Sequence, residues 1–128
     1  KKYNVFELQT AVTNNQKAKA LEIASYFAAN TKETSLFAVI GLLNSYFEKL
    51  FIYMQLNNSK SAAELASEMG VKPYFLDQYR KSASYFNMKK VLEVFKLLRS
   101  YDLKLKGVDC LAPESELMRE MIYKIVHL

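Results

Sequence analysis

The chain has few of the residues that break, bridge or catalyse. Three glycines and two prolines in 128 residues leave little turn chemistry and few interruptions to regular structure. One cysteine, Cys110, excludes an intrachain disulfide and a cysteine metal cluster. It is expected to be an incidental reduced thiol, as in cytosolic proteins. One histidine, His127 near the C-terminal end, offers neither a His-rich metal site nor an ordinary Ser/His or Cys/His relay. Gly41, Gly70 and Gly107 stand alone, so no glycine loop cradles a phosphate. No two carboxylates pair in a way that suits acid–base work. No catalytic residue, cofactor site or metal site is expected, and an enzyme is the weakest reading. Charge of one sign is also sparse. Eighteen basic and thirteen acidic side chains give a net +5 without a run of five like charges. That balance permits an acidic partner or nucleic acid and demands neither. No signal peptide is visible, and the chain opens on Lys1-Lys2 without an initiator Met. It is expected to be a piece of a longer protein, forming one domain over residues 1–128.

What the chain does have is helix formers and aromatic rings. Ala, Leu, Lys, Glu and Met are plentiful, and nine Tyr and eight Phe accompany an absence of Trp. Asn4-Val5-Phe6-Glu7 spells a capping box opening a short helix to about residue 12, and Thr13-Asn14-Asn15 is expected to break it and cap the next. Ala18, Leu21, Ile23, Ala24 and Phe27 mark a second helix to about residue 29. Residues 35–56 are the most apolar segment, with Leu36, Ile40, Leu43, Phe47, Leu50 and Met54 in one stripe. Its length approaches a membrane span, but Asn44, Glu48 and Lys49 lie inside it. It reads as the central buried helix of a bundle, with no membrane involved. Ser61-Ala62-Ala63-Glu64 is a second capping box, and that helix stops at Gly70. Pro73 opens the next, carried by Phe75, Leu76, Tyr79, Ala83 and Phe86. Asn87 caps a long helix on which Met88, Val91, Phe95, Leu98, Asp102 and Leu105 share a face, with Gly107 at its C-terminal cap. A last helix starts near Glu114 or Ser115 and carries Leu117, Met118, Met121, Ile122 and Ile125. No strand pattern competes. The expected fold is all-α, a compact bundle of about six to seven helices around one central apolar helix.

Three constellations bear on function. Residues 61–86 have a helix-turn-helix layout in which Gln78, Arg80 and Lys81 are candidate readers of bases, phosphates or a partner. Against DNA reading, the second helix opens with Pro73, Tyr74, Phe75 and Leu76 where polar side chains are needed, and Asp77 repels phosphates. Tyr74, Tyr79, Tyr85 and Tyr101 lie among basic residues, which suits base stacking, a protein partner or simple core-edge packing. Asp102 is the one charge on an otherwise apolar face, which costs free energy unless it is paired. Lys106, four residues on, is the natural partner. On this reading Asp102→Ala is expected to lower stability more than an average surface change does.

Two stretches carry a resemblance. Phe75-Leu76-x-x-Tyr79-Arg80-Lys81-x-Ala83 and Leu97-Leu98-x-x-Tyr101-Asp102-Leu103-Lys104-Leu105-Lys106-Gly107, with Leu65-Ala66 and Gly70-Val71 before them, resemble the C-terminal domain of the delta subunit of the bacterial DNA polymerase III clamp loader. Tyr3-Asn4-Val5-Phe6-Glu7-Leu8 and Ala28-Ala29-Asn30 resemble the Bacteroidetes version. The resemblance covers nearly the whole chain and marks Tyr79, Arg80, Ala83, Asp102, Lys106 and Gly107 as motif positions. It implies an all-helical collar domain downstream of AAA+-like domains, absent from this sequence, and a role in oligomerisation within a DNA-replication complex. The implied partners are the tau/gamma and delta-prime type subunits, with the sliding clamp held by the absent N-terminal domain and DNA met only through the assembled complex. Delta itself is not expected to hydrolyse ATP, although the holoenzyme is a DNA-directed DNA polymerase of the cytoplasm. Family members can bring an aromatic near DNA after the Lys-Gly pair. Val108, Asp109 and Cys110 supply none here, so no DNA contact is carried over.

Overall fold

A computed structural model describes residues 2–128. Among these it contains seven α-helices and one 3-10 turn, with no strand. The α-helices are α1 (Val5–Thr13), α2 (Lys17–Ala29), α3 (Leu36–Leu56), α4 (Ala62–Met69), α5 (Leu76–Ala83), α6 (Met88–Leu105) and α7 (Glu114–Val126). The 3-10 turn, Pro73–Phe75, leads into α5.

The helix boundaries follow local chemistry. Both expected capping boxes form, Asn4 with Glu7 and Ser61 with Glu64, so each side chain satisfies the other residue's free N–H. Asn87 accepts from the Lys90 N–H at the start of α6. Gly70 and Gly107 adopt left-handed φ values of 73° and 87°, which side chains disfavour. At the end of α6 the Gly107 N–H reaches the Lys104 carbonyl at 2.9 Å and the Val108 N–H reaches Leu103 at 3.1 Å, the paired bonds of a Schellman motif. The expectation for Thr13-Asn14-Asn15 is corrected. Asn15, at φ 60°, closes α1, with the Gln16 N–H bonded to the Ala11 carbonyl at 2.9 Å. The cap position of α2 is Gln16, which makes no side-chain bond. Asn tolerates the left-handed geometry, so it serves the helix behind it.

The bundle closes around α3. Leu36, Val39, Leu43, Phe47 and Leu50 are buried from α3, Phe27 from α2, Val91, Leu98 and Tyr101 from α6, and Met118, Met121 and Ile122 from α7. A long-range bond fixes the ends of two helices: the Glu114 carboxylate, in the first turn of α7, accepts from the Leu36 N–H at 2.7 Å. Ser35 accepts from Ala38 at 3.1 Å beside it, so two first-turn donors of α3 are satisfied.

The central helix is exposed at Phe37, Ala38 and Gly41 near its start. It is the one helix among the described residues long and apolar enough to cross a membrane, yet 39% of that apolar stretch is buried. Phe37 stands 67% exposed. Gly41, one turn on, has an ordinary helical backbone, and a Cβ there would meet nothing within 4 Å. A helix-interior glycine costs roughly 0.5–1 kcal/mol relative to alanine. Gly41→Ala is therefore expected to raise the unfolding free energy by about that amount, as read by urea denaturation.

Candidate functional site

Two of the α5 motif positions, Tyr79 and Ala83, serve packing. Tyr79 is buried and stacks on Tyr46 of α3, with ring centroids 4.6 Å apart and planes 18° apart. Nearby, Ser82 shares a 2.6 Å hydrogen bond with the Tyr46 hydroxyl and donates to the Gln78 carbonyl at 3.2 Å. Phe86 meets Phe47 edge-on at 5.0 Å. Burial pushes the Tyr79 hydroxyl up to about 12 and also raises Tyr46, so neither is an acid–base group near neutrality. Ala83 packs half-buried against the same core.

Gln78, Arg80 and Lys81 all lie on α5. Arg80 is exposed and ion-paired to Asp77, Lys81 is exposed, and Gln78 is half-buried. The start of the element, where a recognition helix meets bases, presents the exposed rings of Tyr74 and Phe75 on the 3-10 turn.

The face assigned to α6 is corrected. The buried stripe is Val91, Val94, Leu98 and Tyr101, and Phe95, Asp102 and Leu105 lie along its edge. Two apolar stripes one residue apart both satisfy helical spacing, and the sequence favours neither. The Asp102 side chain is 28% exposed and bonded to Lys106 Nζ at 2.9 Å. An exposed i,i+4 pair contributes about 0.3–0.5 kcal/mol. Asp102→Ala is therefore expected to shift the unfolding free energy by no more than about 0.5 kcal/mol in urea denaturation.

Tyr101 holds the polar position instead. It is fully buried, its hydroxyl donates to Glu120 of α7, and Lys104 and Lys124 sit over its ring at 4.5 and 5.4 Å. Glu120 also faces both lysine ammoniums at 3.9 and 3.8 Å. Burial first, then the Glu120 hydrogen bond, pushes the Tyr101 hydroxyl well above its ordinary value. Two acids of α7 are structural, because Glu114 caps α3 and Glu120 receives Tyr101. Tyr101 and Glu120 are 19 positions apart, beyond any local pattern.

Among the described residues no group of three His, Cys, Asp or Glu is placed to hold a metal. His127 stacks on Tyr123 at 4.2 Å and contacts its carbonyl at 2.8 Å, and Cys110 is half-buried.

The surface features that stand out are grooves. One of about 400 Å³ runs between α3 and α6, lined by Phe37, Ile40, Gly41 and Asn44 from α3 and by Phe95, Arg99 and Asp102 from α6. A second, of about 580 Å³, lies along the other side of α6 between Phe95, Leu103 and Val108. Phe95 and Arg99 line both. A third, of about 670 Å³, lies between α2 and α7.

Comparison with known proteins gives one positive finding. Neither the curated proteins nor the solved structures yield a match. The family model described as DNA polymerase III delta subunit, C-terminal domain, matches residues 2–122. That span contains α1 to α6, the Tyr101–Glu120 contact and every motif position named above. The chain therefore belongs to the family of C-terminal domains of the DNA polymerase III delta subunit, a clamp-loader component.

Proposed function

We propose that this domain is the oligomerisation module that seats delta among its neighbours in the clamp-loader collar, in support of sliding-clamp loading during DNA replication. The observation that carries the reading is the match of the delta C-terminal domain family over residues 2–122, and Phe37 of α3 is the exposed ring on the central helix. The neighbours are subunits of the tau/gamma and delta-prime type. AAA+-like domains precede this one in the complete chain, and the sliding clamp is held there. The domain neither hydrolyses ATP nor meets DNA outside the assembled complex, and it works in the cytoplasm.

Size-exclusion chromatography with light scattering tests this reading. The complete delta chain is expected to enter a complex with the other loader subunits, and a delta chain lacking residues 2–128 is expected to stay out. Equal incorporation of both contradicts it. Titration with duplex DNA at low and moderate salt supplies the other arm. A steep salt dependence abolished by Arg80→Ala or Lys81→Ala is the signature of a DNA-reading module instead.

A further inference from the structure

We infer that α4, the 3-10 turn and α5, residues 61–83, form an arm that detaches from α3 as one cooperative unit while the rest of the bundle stays folded.

Packing is the first observation. Helices α4 and α5 pack on α3 and on the 3-10 turn that joins them. The main packing of α1, α2, α6 and α7 is on one another and on α3. The arm is therefore an appendage of the central helix, away from the tight seam where α2 meets α7. It buries Leu65, Ala66, Met69, Tyr79 and Ser82. Local opening takes the least free energy where few buried side chains are given up.

Connection is the second observation. Turns at residues 57–60 and 84–85 flank the arm and separate it from α3 and α6. Inside the arm the link is short. The Val71 N–H folds back on the Ala66 carbonyl at 3.0 Å, and Pro73 starts the 3-10 turn two residues later. One helix cannot leave α3 without pulling on the other. Each has eight residues, too few to persist alone in water, so detachment exposes the amides of both.

The third observation is the latch. Ser82, fully buried, shares a 2.6 Å hydrogen bond with the Tyr46 hydroxyl of α3. Water takes the place of each partner when the arm leaves. The bond thus sets the seat of α5 with only a modest net barrier to release, because a neutral hydrogen bond contributes little beyond what water restores.

Hydrogen exchange of the complete delta chain, read by mass spectrometry, tests this. Amides of α4 and α5 are expected to share one protection, about tenfold or more below that of the slowest amides of α2, α6 and α7. Ile23→Val trims a buried side chain of α2, in the part that stays folded when the arm is open. It should speed the slowest amides of α2 and α7 about threefold or more and leave α4 and α5 unchanged. Ser82→Ala removes the latch and should speed α4 and α5 by one common factor, about tenfold. If Ile23→Val speeds α4 and α5 as much as α2 and α7, the domain opens only as a whole and the inference is overturned. If Ser82→Ala speeds α5 without α4, the helices open separately and the inference is equally overturned. The wild-type and Ile23→Val arms decide the matter even where Ser82→Ala does not fold.

Discussion

Tyr101→Ala is expected to lower the unfolding free energy by about 3–5 kcal/mol, measured by urea denaturation near neutral pH. The ring is fully buried between α6 and α7, so truncation leaves a large cavity. The loss extends to the lysines, because Lys104 and Lys124 lie over that ring and Glu120 accepts its hydroxyl. Tyr101→Phe separates these effects. It keeps the packing and removes one hydrogen bond to a charged acceptor, worth about 1.5–3 kcal/mol at most. The pH dependence has a definite sign. The folded state holds the Tyr101 hydroxyl protonated above its ordinary range, so the unfolded chain loses that proton first as pH rises. The contribution is fully present below pH ~10 and is lost as pH climbs through the folded value. Tyr101→Phe should flatten that alkaline loss. A cost for Tyr101→Ala no greater than for Asp102→Ala would show that the polar position of α6 has been misassigned.

Tyr79→Ala is the second large effect, about 3–5 kcal/mol if unfolding remains two-state. Helix α5 has eight residues, too few to persist alone in water. Tyr79 stacked on Tyr46, Ser82 bonded to the same tyrosine, and Phe86 against Phe47 hold it to α3. Removing the stacked ring also leaves the Tyr46 face exposed to a cavity. Hydrogen exchange reads the outcome directly: amides of residues 76–83 should lose protection in Tyr79→Ala before those of α7 do. Unchanged protection there would mean that Phe86 and the 3-10 turn suffice to dock the helix.

Elements with local causes were legible in the sequence. The two capping boxes, the Asn87 cap, the left-handed glycines after α4 and α6 and the apolar face of α7 are each specified within a few residues. Asn15 was misread because an asparagine can cap forward or close backward, and only the backbone angle decides. The placement of Asp102 failed for a different reason. Periodicity identifies an apolar stripe to within one residue, and here the adjacent stripe ends in a tyrosine whose ring is core and whose hydroxyl is not. Glu114 and Glu120 are tied to residues 78 and 19 positions away, so no local pattern reveals them. The exposed side of α3 is the most consequential case. An apolar residue packed in the core and one left at the surface look alike in a sequence. Residues 35–56 read as the central core helix and form it, with Phe37 and Gly41 at its open edge.

Hydroxyl-radical footprinting of the complete delta chain, free and in the reconstituted loader, tests the central claim most directly. Phe37 is 67% exposed and Tyr74 is 84% exposed in the isolated domain, so both should oxidise readily when delta is free. If the outer side of α3 is the assembly surface, Phe37 becomes protected in the loader. Equal oxidation of Phe37 in free and assembled delta would contradict the account.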